Sequence, residues 1–354
     1  MPVLSAPFPW FGGKSRAARL IWQALGDVAN YVEPFAGSLA VLLARPTPPG
    51  VETVNDADGF VCNFWRAVEA DGAQVAHYAD WPVNECDLHA RHAWLKAQRA
   101  SLTRRLEGDP DYYDAKLAGW WVWGLCCWIG GGWCGSDGPW HVTDAGELVR
   151  TEGSAAGISR RLPHLGNAGR GIMRQGISRQ RPHLGSAGRG IMKRMGTADG
   201  SAHTAAVQAW FLALQDRLAR VRVCCGDWAR IMGEAPTVHQ RGITGIVLDP
   251  PYAHVERDSA VYAVDQDISA AVRTWALAHG GHPRLRIVLC GYTGEHAMPE
   301  SWQAIPWKAN GGYSRQSTGR GRANARREML WCSPHCQPVT RQLGLFASTQ
   351  GDAL

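Results

Sequence analysis

At 354 residues with 45% hydrophobic side chains, the chain can bury a large core, and its length fits one large domain carrying an insertion, or two domains. The net charge of +6 is concentrated: nine Lys or Arg and no acidic residue stand between Gly153 and Ala198, so the rest is net negative and the basic stretch marks a local site for an anionic partner. Ten cysteines without a CxxC spacing exclude a disulfide scaffold and read as reduced core thiols; Cys332-x3-Cys336 with His335 comes nearest to zinc spacing, and no metal is expected. MPVLSAPFPW lacks the pattern of a signal peptide, and glycines interrupt the apolar stretch Leu117 to Trp133, so the expectation is a cytoplasmic protein without a membrane span.

The first element is the turn Trp10-Phe11-Gly12-Gly13-Lys14, followed by apolar residues at helical spacing to Leu25, with Gly26 as C-cap. Lys14 lies where loop becomes helix and suits an anionic cofactor group. Tyr31 to Ser38 (YVEPFAGS) then reads as strand and tight turn, with Leu39 to Arg45 as the following helix. Such a turn lets a ligand approach the backbone at a helix N-terminus, which makes Glu33, Pro34, Phe35 and Gly37 candidate cofactor contacts. A second strand, Val51 to Val54, ends in Asn55-Asp56, and an acid there suits ribose hydroxyls; Asp56 is preferred to Asp58 because it lies nearer the strand end.

After a helix from Gly59 to Ala70 the alternation of strand and helix lapses. Asn84 to Glu107 reads as a helix whose basic side (Arg91, Lys96, Arg99, Arg104, Arg105) faces solvent. Trp120, Trp121, Trp123, Trp128 and Trp133 crowd the span that runs into Gly130-Gly131-Gly132; most read as core, with those at the loop end as candidate platforms for nucleic acid. Gly157 to Gln175 then recurs as Gly176 to Arg194 in a 19-residue period. Its glycines oppose continuous helix, and its arginines, including Arg160, Arg161, Arg170, Arg179 and Arg189, suit phosphate contacts.

The α/β pattern resumes with a helix from Thr204 to Leu218 and a strand, Val221 to Cys225, ending in Gly226-Asp227-Trp228. Asp227 and Trp228 there offer either an adenine contact or an ordinary turn. The buried run Ile243 to Leu248 ends in Asp249-Pro250-Pro251-Tyr252, at the carboxyl end of a strand, where open α/β sheets place ligands. These four residues suit methyl transfer to an exocyclic amine. The Asp249 carboxylate accepts one N–H, the Pro250 carbonyl the other, Pro251 stiffens the turn, and the Tyr252 ring offers a stacking face for a base turned out of its duplex. Ser269 to His279 reads as helix, Leu285 to Cys290 and Glu328 to Cys332 as strands. A second basic loop between them contains Arg315 and Arg320.

In this order, WFGGK at 10 to 14, EPFAGS at 33 to 38, ND at 55 to 56, GDW at 226 to 228, DPPY at 249 to 252 and RREMLW at 326 to 331 resemble the Dam-like, class D12, adenine-N6 DNA methyltransferases. The resemblance implies S-adenosylmethionine as methyl donor, double-stranded DNA as substrate, and Trp10, Lys14, Asp56 and Asp249 at cofactor positions. It also implies an α/β fold with a Rossmann-like mixed sheet and an inserted target-recognition region. The chain divides accordingly into residues 1–70 (cofactor half), 71–203 (target recognition, with the repeat at 157–194), 204–334 (DPPY half) and 335–354 (tail). Two departures stand out: Leu39 replaces the last glycine of EPFxGxG, and Ile129 to Trp133 replaces an Asn-Gly-x-x-Arg loop. The expected function is site-specific adenine-N6 methylation of DNA by base flipping; DPPY also suits cytosine N4, and a silent core retained for DNA binding is the reading from another class.

Overall fold

Apolar runs short enough for one strand and polar at both ends become the middle of a single sheet. The structure is a computed structural model that describes residues 4–10, 12–128, 133–135, 140–143, 145, 147–150, 200–239, 242–251, 268–308 and 327–339. Strands β1 (Asn30–Glu33) and β6 (Thr244–Leu248) are buried along their whole length, as expected of central parallel strands covered on both faces. β2 (Val51–Asp56) and β5 (Val221–Cys225) extend the sheet on one side, and β7 (Leu285–Tyr292), β9 (Glu328–Cys332) and β8 (Gln303–Pro306) on the other. The order is β5-β2-β1-β6-β7-β9-β8. β9 is antiparallel to both its neighbours and every other pairing in this sheet is parallel, so β9 alone is reversed. This is the mixed, Rossmann-like α/β sheet that the resemblance implies. Because the chain leaves β1 toward β2 and β5, and crosses back to β6, the topological switch point lies between the carboxyl ends of β1 and β6.

Alternation along the strands splits the core into two layers. Val32, Ile246, Leu248, Ile287 and Leu289 pack with Val272 and Ala276 of α8 (Ser269–His279), while Val247, Val288 and Cys290 join the larger cluster on the other side. That cluster receives α1 (Ala18–Leu25), the one-turn α2 (Ala40–Leu43), α3 (Gly59–Ala79), α4 (Glu85–Gly108), α5 (Ala115–Cys127) and α6 (Gly200–Leu218); a further single turn, α7 (Glu234–Thr237), precedes β6. The caps are those that the local sequence dictates. Asp58, Asn84 and Asp114 accept backbone N–H groups in the first turns of α3, α4 and α5, and Gly26, at φ 62°, closes α1 with an N–H to Trp22 O.

Several details differ from expectation. The third helix does not stop at Ala70 but continues to Ala79 across non-helical backbone at Asp71, because its second half packs against α5 and α6. The basic side of α4 is not uniformly solvated: Arg91 is buried with its guanidinium 4.3 to 5.4 Å from the ring centroids of Trp123, Trp120 and Trp81, and Arg99 pairs with Asp58 at 3.2 Å. Trp128 and Trp133 are core residues and not exposed platforms. Trp128 stacks on His92 at 4.8 Å, and the Trp133 indole donates to Trp121 O against the bare Cα of Gly124. A hairpin, β3 (Trp140–Val142) with β4 (Leu148–Arg150), and the edge strand β8 were not evident from the sequence. The tandem repeat lies outside the described residues.

Leu39, where a glycine was the norm, holds a left-handed conformation (φ 51°, ψ 28°) with its side chain fully buried. The strain of that conformation, about 1–2 kcal/mol for a residue with a Cβ, is offset by burial of the leucine. Leu39→Ala is therefore expected to destabilise the fold by about 2–5 kcal/mol. Leu39→Gly should be no worse than alanine, whereas at a right-handed helical position glycine is worse by about 0.5–1 kcal/mol; denaturant midpoints of the two variants check the ranking.

Candidate active site

The crevice at the switch point is built from chain segments far apart in sequence. The turn after β1 bends sharply at Gly37 (φ 45°), where a Cβ would meet the Trp10 indole nitrogen at 2.5 Å. Only glycine admits both that backbone and that neighbour. Trp65, fully buried beneath the turn, donates its indole N–H to Gly37 O at 2.8 Å, and Ala36 N–H bonds Asn55 O at the end of β2. Asn55 in turn donates to the Pro34 and Gly226 carbonyls, tying together the ends of β1, β2 and β5.

Asp56 completes this half. One carboxylate oxygen accepts the Gly37 N–H and the other the Asp58 N–H, both at 2.9 Å. Burial pushes its carboxyl up to about 6 against the lowering effect of those bonds. Asp58, the competing acid, is committed to the cap of α3 and to Arg99. Beyond β5, Asp227 accepts the Ala229 N–H at 2.8 Å as the cap of a short 3-10 turn, and the Trp228 ring lies 6.1 Å from Phe35 at an interplanar angle of 29°. Both the adenine-contact and the turn reading of Asp227 are thus compatible with its place.

Across the switch point stands Asp249. Its carboxylate is 2.8 Å from the Lys14 ammonium, which also donates to Gly12 O at 2.9 Å; Lys14 is 5% exposed and Asp249 23%. Burial opposes the charge of Lys14, but Asp249, and behind it Glu328, hold its affinity for the proton above the ordinary value. Burial likewise lifts Asp249 above the usual carboxylate range, and Lys14 pulls it back. Trp307, just after β8, lies with its ring centroid 5.9 Å from the Lys14 nitrogen and donates its backbone N–H to Glu328 O.

Trp10, Lys14, Glu33, Pro34, Phe35, Gly37, Asp56, Asp227, Trp228, Asp249, Pro250 and Pro251 all fall among the described residues, at or beside the carboxyl ends of β1, β2, β5 and β6. Tyr252 lies outside them, as do Arg160, Arg161, Arg170, Arg179, Arg189, Arg315 and Arg320. Glu328 and Trp307 were not singled out from the sequence, though Glu328 belongs to the RREMLW segment. Glu328 reaches the crevice because reversal of β9 brings its first residue to the end where the parallel strands finish, and Trp307 because β8 runs with those strands and ends there too. Among the described residues no group of three His, Cys, Asp or Glu could hold a metal; His335 instead lies 3.0 Å from Gly281 O. Nor is any described helix long and apolar enough to cross a membrane.

Glu33, buried at the end of β1 and accepting the Tyr31 hydroxyl at 2.9 Å, has its carboxyl raised by burial to about 8. A raised folded-state value means that the folded protein holds a proton which the unfolded chain releases. Its contribution is complete below the unfolded value near 4.5 and is lost as pH rises through about 8. Glu33→Gln, which keeps an acceptor for Tyr31, should gain stability relative to the parent as pH rises from 5 toward 8; urea unfolding across that range measures it.

No curated protein matches the chain at a significant level. The family that the sequence resembled is nonetheless the one recognised: residues 10–87, from the WFGGK turn through β1, β2 and α3, match the model of the D12 class N6 adenine-specific DNA methyltransferases.

Proposed function

We propose that the protein transfers a methyl group from S-adenosylmethionine to N6 of adenine in double-stranded DNA, acting on a base turned out of the duplex. The observation that carries this reading is the buried Lys14–Asp249 pair at the switch point, beside a segment matched to the D12 family. The residues present fit the cofactor. Asp56 retains acceptor capacity beyond its backbone bonds, and Phe35 with Trp228 offers aromatic faces at the ends of β1 and β5. On this reading Trp10, Lys14, Glu33, Pro34, Phe35, Gly37, Asp56, Asp227, Trp228 and Asp249 hold or shape the cofactor site, and no metal takes part.

When bound, S-adenosylmethionine would supply an electrophilic methyl group, leaving as S-adenosylhomocysteine, and the methylated amine would give up one N6 proton to solvent. The target amine is a weak nucleophile because its lone pair is delocalised into the purine ring. Asp249 accepts one N6–H and the Pro250 carbonyl the other, which returns electron density to nitrogen; Pro251 fixes the turn and Tyr252 stacks on the base. Alignment of the amine supplies much of the acceleration. Residues 1–70 and 204–334 form the catalytic halves and 71–203 the target-recognition region. Arg160, Arg161, Arg170, Arg179 and Arg189 of the repeat, with Arg315 and Arg320, grip phosphates, and residues 335–354 are a tail.

Incubation of unmodified DNA with the protein and S-adenosylmethionine, followed by sequencing that maps modified bases, should find N6-methyladenine at a defined motif; methylcytosine alone, or DNA binding without methylation, would refute the reading. Asp249→Ala should abolish transfer while the circular dichroism spectrum is retained. Deletion of one 19-residue copy should weaken binding to all DNA sequences alike and leave the methylated motif unchanged, which binding titrations and the same mapping together decide.

A further inference from the structure

We infer that Lys14 is a positioning residue for the catalytic carboxylate, holding one oxygen of Asp249 so that the other remains to accept the target amine. The inference rests on the function proposed above and goes beyond it, because the resemblance gives Lys14 to the cofactor alone. Its ammonium lies 2.8 Å from Asp249 Oδ1, within reach of a charge-assisted hydrogen bond. It is steadied from two sides: the Gly12 carbonyl accepts from it at 2.9 Å, and the Trp307 ring faces it at 5.9 Å. Trp307 is itself pinned through its N–H to Glu328 O, and Glu328 is a buried carboxylate at the start of β9.

The short Asp249 side chain stands partly exposed at the crevice, where free rotation would spread its acceptor lone pairs over many directions. One ion pair to a buried, braced ammonium removes that freedom. A carboxylate has two oxygens and about four lone-pair sites, so tying Oδ1 leaves the second oxygen for an N–H. The same charge favours the ionised form of Asp249 against burial, which raises its carboxyl; a protonated carboxyl would be a poor acceptor for the amine.

A residue that served the cofactor only would act on cofactor affinity, while one that positions Asp249 acts on turnover. Lys14→Met and Lys14→Arg separate the two, with kcat and KM for S-adenosylmethionine, the Kd of S-adenosylhomocysteine, which retains the amino-acid carboxylate, and the pH profile of kcat. In Lys14→Met, kcat at saturating cofactor should fall about 100-fold, the scale of a misplaced catalytic group, a larger loss than the weakening of the S-adenosylhomocysteine Kd that accompanies loss of a cofactor contact. The acid limb of the profile should move to higher pH by about one unit or more, since the ammonium that favours ionised Asp249 is gone. Lys14→Arg should recover part of the turnover. Weakened cofactor binding with kcat and the acid limb unchanged would overturn the inference. If Lys14→Met does not fold, Lys14→Arg decides by the same split between kcat and Kd. A wild-type protein that transfers no methyl group would remove the proposed function and the inference together, whereas an active wild type whose variants lose only cofactor affinity would remove the inference alone.

Discussion

The contact between Lys14 and Asp249 is the constraint on which the crevice depends. An ammonium that is 5% exposed is tolerable only beside an opposite charge, because an unpaired buried ion loses several kcal/mol of hydration. The amino-terminal turn and the end of β6 are therefore committed to each other. Since β1 lies beside β6, that commitment also sets the turn carrying Gly37 at a fixed distance from Asp249. A second buried arrangement does similar work elsewhere: Glu52 of β2, 1% exposed, lies between Arg45 at 3.1 Å and Arg217 of α6 at 2.7 Å, tying α6 to the strand on which Asp56 stands.

Much of this was legible in the sequence because parallel strands buried on both faces leave a strong signature. ITGIVL before DPPY and LRIVLC before Gly291 can be little else, and Asp249 at the end of such a run is at a rim by topology alone. What escaped was whatever depends on a partner distant in the chain. The QAIP segment of β8 buries only Ile305, so its pattern carried no period. Arg91 looked like a solvated cation because its three indole partners come from α5 and from Trp81 ahead of α4. Trp128 and Trp133 looked like platforms because proximity to a glycine loop says nothing about the groove between α4 and α5 that receives them.

Leu39 is the instructive departure. A glycine in that place is the easy solution to a left-handed backbone. The backbone keeps the left-handed conformation, and the leucine side chain goes into the core. At this position the chain meets a left-handed φ with a leucine, whose burial offsets the strain.

The crevice is richer in acids than in bases. Glu33, Asp56, Asp249 and Glu328 gather at strand ends where Lys14 is the buried cation. Glu33 holds its proton up to about 8, so the charge here rests on Asp56, Asp249 and Glu328 against Lys14, a balance that suits a small cation; under the proposed function the attraction for DNA then comes from elsewhere in the chain, and the nine basic residues between Gly153 and Ala198 are of the right sign. On that proposal added salt should screen the basic stretch and slow encounter with DNA, while the buried Lys14–Asp249 pair is screened much less.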